Sequence, residues 1–261
     1  MVAMTELLAG KVGFIAGVRD RHSTGWGIAR ALGAAGARLA VSYRQPRWER
    51  HVRSLAETLP NALVVRMDAT QEDEVERAFA TIDREYGGLD FIVHSIAGAP
   101  YAALHGRFVD TTRADWHATM ETNAYSLLTM ARAAEPLFRR RGGGSVVAIS
   151  YYGSEKAVLG YKVMGVAKAA LESIVRALAA ELGERNVRVN AISAGAMRTL
   201  SARGIPGFTQ LYRTVPKKTP LRRNIATRDV GDTAAYLVSD LARDVTGEVI
   251  HVDAGYHAIT S

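Results

Sequence analysis

The run FIAGVRDRHSTGWGIARAL, residues 14–32, decides the fold of this chain. An apolar strand pattern leads into three glycines, and a helical pattern follows them directly. Glycines at such a junction permit a tight turn and let backbone N–H groups approach a phosphate at the helix N-terminus. Seven residues separate Gly17 from Gly25, so the loop is longer than G-x-G-x-x-G and places Ser23 and Thr24 near the phosphates as hydroxyl donors. The run predicts a strand, a dinucleotide phosphate loop and a helix.

Seven short apolar runs alternate with helical patterns along the whole chain. Because the runs are almost continuously apolar, they are typical of strands in a parallel sheet that is covered on both faces. Between the fifth and sixth runs, the spacing of a helix face, three and four residues, occurs at Leu171, Ile174, Val175 and Leu178. The alternation predicts an α/β fold with a doubly wound parallel sheet, the Rossmann fold, in a single domain over residues 1–261. The seven runs are KVGFIAG, ARLAVSY, ALVVRMDA, LDFIVHSIA, GSVVAIS, VRVNAISAG and GEVIHVDAG.

One segment, residues 196–226, interrupts this alternation. It is punctuated by residues that break regular structure, namely Gly204, Pro206, Gly207, Pro216 and Pro220. A long irregular insert in a compact domain is usually functional, so we predict a substrate lid here. An ordered surface excursion is the alternative interpretation.

The composition excludes several classes of function. The chain has 261 residues, 48% of them hydrophobic, and no cysteine, which excludes disulfides, thiol nucleophiles and thiolate metal sites. We expect no metal site of any kind. No apolar run is long enough to span a bilayer, and the first residues do not have the pattern of a secretory signal. We expect a soluble, cytoplasmic protein that does not enter membranes.

The charge balance is basic, with a formal net charge of +7. Such a balance suits nucleic acid, an acidic protein partner, a phosphate-rich ligand or simply a solvated basic surface. The basic clusters at residues 138–144 and 217–223 are short and lack interleaved aromatic residues. No nucleic-acid motif accompanies them, so we expect no nucleic-acid partner.

The residues after the second predicted strand indicate which dinucleotide binds. Sites that prefer NAD usually place an acidic residue there, to bind the ribose 2′-hydroxyl. This chain has Arg44 instead, with Arg47 close behind. Because a guanidinium suits a 2′-phosphate, we predict NADPH rather than NADH. A solvent-facing arginine without this role is the alternative.

A tyrosine and a lysine follow the fifth predicted strand. Tyr161 and Lys168 are seven residues apart, which on a helix places both side chains on one face. A lysine ammonium can hold ribose hydroxyls and favour tyrosinate character in a nearby phenol that donates a proton. Taken alone, the pair also fits a packed core tyrosine and a surface lysine.

Further motifs accompany the phosphate loop and Lys168. They are HSIAGAP at 94–100, Asn123, VNAISAG at 189–195 and TGEVIHVDAG at 246–255. On these motifs the chain resembles the short-chain dehydrogenase/reductase superfamily over nearly its whole length. The resemblance implies a Rossmann-type nicotinamide enzyme.

The spacing of the tyrosines points to one branch of that superfamily. Standard members use an Asn–Ser–Tyr–Lys set, and the corresponding slots here hold Asn123, Tyr151, Met164 and Lys168. The serine and the tyrosine of a carbonyl reductase are therefore missing. Bacterial enoyl-acyl-carrier-protein reductases instead have a tyrosine, nine residues, a second tyrosine, six residues and a lysine. Tyr151, Tyr161 and Lys168 match that pattern, so the chain is similar to this branch.

The resemblance implies NAD(P)H-dependent reduction of the trans-2 double bond of an enoyl thioester in fatty acid biosynthesis. It implies that Tyr161 donates a hydrogen bond to the developing enolate oxygen, that Lys168 anchors the cofactor ribose and that Tyr151 lines the opposite wall as an auxiliary donor. The cofactor contacts it implies are Gly17, Ser23, Thr24, Arg44, Asp68, Ala69, Ile96, Lys168, Met197, Arg198, Thr199, Leu200 and Ser201. The substrate contacts it implies are Ala99, Tyr151, Tyr161, Met164 and Phe208.

The carrier of the substrate stays open at this point. Typical members carry lysine or arginine around the position of Phe208, where they meet an acidic acyl carrier protein. Here that charge would come from Arg203, Arg213, Lys217 and Lys218. The expected substrate is an enoyl thioester on acyl carrier protein, with an acyl-CoA or an enoyl intermediate of a specialised pathway as alternatives.

Two other functions compete with enoyl reduction. A carbonyl-reducing member of the superfamily is one, and the missing tyrosine at position 164 argues against it. A catalytically silent nucleotide-binding regulator is the other, and the presence of Tyr161 and Lys168 argues against it. The family alone also implies a homotetramer.

Overall fold

The computed structural model describes residues 6–259, and within that range seven strands form one sheet. All strand pairs are parallel, and every one of the seven apolar runs contributes a strand. The strands are β1 (Val12–Ala16), β2 (Arg38–Tyr43), β3 (Leu63–Arg66), β4 (Phe91–His94), β5 (Gly144–Ser150), β6 (Val187–Ala194) and β7 (Val249–Val252). They lie in the order β3-β2-β1-β4-β5-β6-β7, so the doubly wound α/β fold expected from the sequence is confirmed.

Helices connect the strands and cover both faces of the sheet. They are α1 (Thr24–Ala34), α2 (Glu49–Ala56), α3 (Glu72–Tyr86), α4 (Tyr101–Leu104), α5 (Arg113–Met120), α6 (Ser126–Arg140), α7 (Val163–Leu182), α8 (Leu200–Arg203), α9 (Phe208–Lys218) and α10 (Thr227–Val238). The buried faces of α1, α2 and α10 share one core with the sheet. Those of α3, α6 and α7 share the other.

The two cores follow from the alternation of side chains along each strand. On β1, Phe14 and Ile15 point to opposite faces of the sheet and are both fully buried. Phe14 meets Phe79 of α3 edge-to-face, with ring centroids 5.3 Å apart. Ile15 lies in the other core, together with Leu32 of α1 and Leu237 of α10. A strand buried on both faces must be apolar throughout, as the sequence pattern indicated.

The switch point of the sheet lies between β1 and β4, which are neighbours although β2 and β3 separate them in the chain. Loops that leave such neighbours in opposite directions open a crevice at the carboxyl ends of the strands. Gly17, the first residue after β1, has a φ of +93°, and a Cβ there would lie 2.2 Å from the carbonyl oxygen of Ser95. Only glycine fits this approach of the two loops.

The expectation of an irregular insert at 196–226 is wrong in one respect, because the segment contains the helices α8 and α9. Pro216 lies inside α9 and has no N–H to donate to the carbonyl of Tyr212. The side-chain amide of Asn224 donates to that carbonyl instead, at 3.2 Å. The proline is therefore tolerated in the helix because a residue from beyond the helix satisfies the free acceptor.

Among residues 6–259, no helix is both long and apolar enough to cross a membrane. The interpretation of residues 1–261 as one domain remains a proposal, and both of its ends lie outside the described range.

Candidate active site

A cleft of about 1210 Å³ lies at the carboxyl ends of the strands, with helices α8 and α9 along one side. Nearly all residues that the sequence analysis assigned to cofactor or substrate line it. The exception is Arg198, whose guanidinium instead lies over the ring of Tyr212, 4.6 Å from its centroid. The assigned residues in the lining are Gly17, Ser23, Thr24, Arg44, Asp68, Ala69, Ile96, Ala99, Tyr151, Tyr161, Met164, Lys168, Met197, Thr199, Leu200, Ser201 and Phe208. Their individual roles remain predictions.

The phosphate loop is built by hydrogen bonds within residues 17–26. Ser23 is the N-cap of α1, and its hydroxyl accepts a hydrogen bond from the backbone N–H of Trp26 at 3.3 Å. The same hydroxyl donates to the carbonyl of Asp20 at 2.7 Å, so its hydrogen is used inside the loop. The groups left to face an anion at this end of α1 include backbone N–H groups and the hydroxyl of Thr24, which lines the cleft.

The two tyrosines form one wall of the cleft. Tyr151 directly follows β5, and its ring meets that of Tyr161 edge-to-face, with centroids 4.8 Å apart. The expectation that Tyr151 lines the wall opposite Tyr161 is therefore wrong. The expectation that Tyr161 lies on the same helix as Lys168 is wrong too, because α7 begins at Val163. Tyr161 lies in the turn before the helix, where Lys162 has a φ of +44°. The turn redirects the chain, and this change of direction sets the position of Tyr161 against Tyr151.

Both phenols are neutral at physiological pH. Burial, reinforced by Tyr151 and Glu172, raises the pKa of Tyr161 far above its ordinary value. Burial together with Tyr256 raises the pKa of Tyr151 to about 12. Burial therefore opposes the tyrosinate character that a nearby lysine can favour. A neutral phenol suits a hydrogen-bond donor to an oxygen that becomes negative during a reaction.

Lys168 lies on the first turns of α7 and is 3% exposed, not on the surface. Its ammonium donates to the carbonyl of Ile149 at 2.7 Å and to that of Ile96 at 3.4 Å. Burial lowers the pKa of this lysine to about 8, against the opposing effect of Glu172. The lysine thus brings a buried positive charge to the floor of the cleft, between the ends of β4 and β5.

Comparison with known proteins identifies this arrangement. A family model described as "Enoyl-(Acyl carrier protein) reductase" matches residues 17–257. The chain belongs to this family. It is 46% identical over 256 residues to the NADH-dependent enoyl-acyl-carrier-protein reductase FabI of Bacillus cereus, covering 97% of this chain and 99% of that protein. It is 44% identical over 254 residues to the NADPH-dependent FabI of Staphylococcus aureus, covering 97% and 98%.

Solved structures agree with that membership. The Bacillus cereus reductase with NADP+ and indole naphthyridinone superimposes with a TM-score of 0.95 at 46% identity, covering 98% of this chain and 100% of that one. The Anaplasma phagocytophilum reductase with NAD gives a TM-score of 0.93 at 44% identity, covering 98% and 97%. The predicted class, an NAD(P)H-dependent enoyl thioester reductase, is confirmed. The relatives include enzymes that use NADH and enzymes that use NADPH. The prediction of one of these two cofactors is therefore confirmed, without a choice between them.

Arg44 of the reductase forms an ion pair with Asp68, which lies in the loop after β3. Its Nε donates to Asp68 Oδ2 at 2.7 Å. Partial burial acts to raise the pKa of Asp68, but hydrogen bonds from Thr70 and Arg44 outweigh it and hold that pKa below its usual value. The carboxylate is therefore ionised and neutralises part of the charge of Arg44. Sequence reasoning assigned both residues to the cofactor but did not detect this ion pair.

Several lining residues of the reductase were missed by sequence reasoning. Trp48 lies beneath two arginines, with the guanidinium of Arg19 at 4.6 Å and that of Arg47 at 5.5 Å from its ring centroid. Tyr256 meets Tyr152 edge-to-face at 5.7 Å across the mouth of the cleft. The sequence signals were weak but present, since Trp48 follows the arginine pair and Tyr256 follows the last glycine motif.

Asn123, which occupies the superfamily's asparagine slot, does not line the cleft of the reductase. It is fully buried in a π-helical turn, Glu121–Tyr125, between α5 and α6. Its amide donates to the carbonyl of Gly98 at 2.6 Å and accepts from the N–H of the same residue at 3.1 Å. Asn123 therefore fixes the loop after β4 that carries Ile96 and Ala99. Nowhere among residues 6–259 do three or more His, Asp or Glu side chains gather as metal ligands would.

Proposed function

We propose that the reductase saturates the trans-2 double bond of an enoyl thioester on acyl carrier protein, with NADPH, as a step of fatty acid biosynthesis in the cytoplasm. The observation that carries this proposal is the pair of neutral tyrosines 4.8 Å apart beside the buried Lys168. Met164 occupies the position where a carbonyl reductase has its acid. The site is thus equipped to stabilise an enolate and not to protonate an alkoxide.

The cleft fits a dinucleotide. Gly17 lets the loops after β1 and β4 approach each other closely, since a Cβ there would lie 2.2 Å from the carbonyl oxygen of Ser95, and the N-terminus of α1 borders the same cleft. When bound, the reduced nicotinamide supplies a hydride to the β-carbon of the enoyl group. Lys168 is the residue that would hold the ribose hydroxyls, because its ammonium already lies between the ends of β4 and β5.

Tyr161 donates a hydrogen bond to the thioester oxygen, where negative charge develops as the β-carbon gains a hydride, and a proton from solvent would then complete saturation at the α-carbon. The high pKa of Tyr161 keeps the hydrogen on the phenol throughout the working pH range. Tyr151 holds the ring of Tyr161 from the side and presents a second hydroxyl to the same space. Burial of both rings excludes water, which strengthens a hydrogen bond to a charged oxygen.

The lid of the reductase, residues 196–226, suits an acyl chain on one side and an acidic carrier on the other. Phe208 is buried with Val215 and lines the cleft as part of an apolar cluster that Tyr256 extends. The outer surface is basic, with four exposed side chains, Arg203, Arg213, Lys217 and Lys218. None of the four forms an ion pair with a carboxylate in the part of the chain that the structure describes, so their charge is available to an acidic partner.

Turnover of defined thioesters tests the proposal. The reductase is incubated with NADPH and trans-2-enoyl groups of several chain lengths, carried either on acyl carrier protein or on CoA. We expect NADPH oxidation with release of the saturated acyl product, identified by mass spectrometry, and a higher kcat/KM for the carrier-protein substrate. No turnover of any enoyl thioester would contradict the proposed reaction, whereas equal turnover on CoA would contradict only the carrier.

The preference for NADPH rests on the arginines at the outer end of the cleft. Asp68 offsets part of the charge of Arg44, but Arg19 and Arg47 are held over Trp48 and leave a net positive pocket. Replacing Arg44 or Arg19 with alanine is expected to weaken NADPH binding roughly tenfold to a hundredfold, since a charge-assisted hydrogen bond contributes about 1.5–3 kcal/mol. NADH binding, measured by nicotinamide fluorescence, is expected to change less than about threefold.

Arg38→Ala provides the matched control for that experiment. Arg38 also lies over an aromatic ring, 4.1 Å from the centroid of Tyr86, but it lies at the other end of β2 and does not line the cleft. NADPH binding to this variant is expected to equal that of the wild type. A stronger affinity of the wild type for NADH than for NADPH would refute the preference.

The reductase also presents a surface suited to self-association. Phe108, Val109, Trp116 and Tyr125 are exposed apolar side chains on consecutive elements around α5. These four side chains are close together in the chain, and exposed apolar side chains that form one patch are typical of interfaces between subunits. They support the proposal of a homotetramer, whose mass light scattering measures directly.

A further inference from the structure

A buried carboxylate, Glu172 on α7, lies behind the tyrosine wall. Glu172 is 7% exposed, and its Oε1 accepts hydrogen bonds from two serine hydroxyls. One belongs to Ser150, the last residue of β5, and the other to Ser154, at 2.6 Å. A buried carboxylate without such donors would be strongly unfavourable, so the three groups form a single unit.

The two serines enclose the segment that carries Tyr151. Ser150 directly precedes Tyr151, and Ser154 ends the short 3-10 turn Tyr152–Ser154 that follows it. A single carboxylate oxygen thus holds both ends of residues 150–154. In the described part of the chain, no other hydrogen bond joins residues 150–154 to α7.

The shape of residues 150–154 determines where the catalytic tyrosine lies. Gly153 packs flat against the ring of Tyr161, and a Cβ at this glycine would lie 2.5 Å from that ring and 3.1 Å from the ring of Tyr151. Any shift of the segment would therefore displace Tyr161. Glu172 thus holds the two serines, the segment between them carries Gly153, and Gly153 contacts Tyr161, whose phenol would meet the substrate.

Glu172 also lies one helical turn after Lys168 on α7. Two titratable groups interact electrostatically with Lys168, namely His94 from β4 and Glu172, and the two tyrosines Tyr151 and Tyr161 line the same cleft. Burial lowers the pKa of His94 to about 3, so it carries no charge, and both phenols are neutral. Glu172 is thus the negative group of this set and favours the protonated form of Lys168.

We propose that Glu172 is a positioning residue for the reduction: through Ser150 and Ser154 it fixes the Tyr151–Tyr161 pair, and it places a negative charge beside Lys168. This inference rests on the proposed function for its turnover readout. The two parts of the role separate in mutants, because glutamine keeps an oxygen that accepts from both serines but removes the charge. Alanine removes both.

The test compares Glu172→Gln and Glu172→Ala by kcat, by KM for the enoyl thioester, by cofactor affinity across pH and by Tm. At about pH 6, well below the pKa of about 8 to which burial lowers Lys168, Glu172→Gln is expected to keep kcat within about threefold of the wild type. Glu172→Ala is expected to lose kcat by at least roughly tenfold with a smaller change in KM, because the phenol is displaced from its productive position. Above about pH 7, the glutamine variant is expected to lose cofactor affinity at a lower pH than the wild type.

Glu181→Gln is the matched control, since Glu181 lies on the same helix and is exposed. It is expected to leave kcat and both pH profiles unchanged. If Glu172→Ala does not fold, the Ser150→Ala/Ser154→Ala double variant replaces it, with a similar loss of kcat expected. Loss of Tm with unchanged kcat in the alanine variants, or an unshifted pH profile in Glu172→Gln, would overturn the inference. Cofactor affinity reports on Lys168 without turnover, so a wild-type enzyme inactive on enoyl thioesters would refute the proposed function and leave the charge effect testable.

Discussion

Tyr161→Phe is expected to lower kcat for an enoyl thioester by roughly 10²–10³-fold, the loss seen when one donor to a developing oxyanion is removed. The phenol is the group that would meet the thioester oxygen, and burial keeps it neutral. Phenylalanine keeps the ring that packs against Tyr151 at 4.8 Å, so the wall of the cleft should persist. Cofactor affinity is expected to change little, because the ammonium of Lys168 is untouched. Steady-state kinetics and cofactor titration measure both effects.

Tyr152→Phe is the control for this substitution. Tyr152 belongs to the same segment, but its ring faces Tyr256 and not Tyr161. Its turnover is expected to remain within about threefold of the wild type. Tyr151→Phe should fall between the two variants, because Tyr151 supplies an auxiliary hydroxyl. Equal turnover by Tyr161→Phe and the wild type would assign the donor to another group.

Lys168→Met is expected to lower turnover by roughly a hundredfold or more and to weaken cofactor binding at pH 7. Both effects are expected because the ammonium that would hold the ribose is removed. In the wild type, cofactor affinity is expected to fall as the pH rises through about 8, the pKa to which burial lowers this lysine. The charge is present below that pH and lost above it. The methionine variant should therefore show no such dependence.

Measurement of Tm distinguishes the loss of the Lys168 ammonium from unfolding of the variant. Burial penalises the charged form of Lys168, which is why its pKa lies below the ordinary value, and methionine carries no such penalty. The Tm at pH 7 is accordingly expected not to fall. Lys156→Met is the matched control, since Lys156 lies in the same cleft but is exposed. If Lys168→Met lost activity and its Tm also fell by a large amount, Lys168 would be a structural residue.

The sheet and most of the cleft were predictable from the sequence, for a physical reason. Strands buried on both faces must be apolar throughout, so the pattern around Phe14 and Ile15 specifies β1 without any knowledge of its neighbours. Parallel strands all end at the same edge, so residues after them in the chain, such as Gly17 and Ile96, lie together in space. Arg198, which was assigned to the cofactor, does not line the cleft, because its guanidinium lies over the ring of Tyr212.

The remaining features depend on contacts between residues distant in the chain. The helix α9 contains a proline, and nothing in the sequence indicates that Asn224 satisfies the acceptor that Pro216 leaves free. The ion pair of Arg44 with Asp68 joins two different strand ends. Helical periodicity suggested a place for Tyr161 on α7, but Lys162 has a positive φ and the helix begins only after it, at Val163.

Competition between two substrates tests the central claim most directly. The reductase receives equal amounts of a trans-2-enoyl and a 3-oxoacyl group of one chain length, both on acyl carrier protein, with limiting NADPH. Mass spectrometry then compares the saturated product with the 3-hydroxy product. Two tyrosines beside Lys168 and a methionine at position 164 predict that nearly all of the product is the saturated acyl chain. A product consisting mainly of the 3-hydroxyacyl chain would contradict the account.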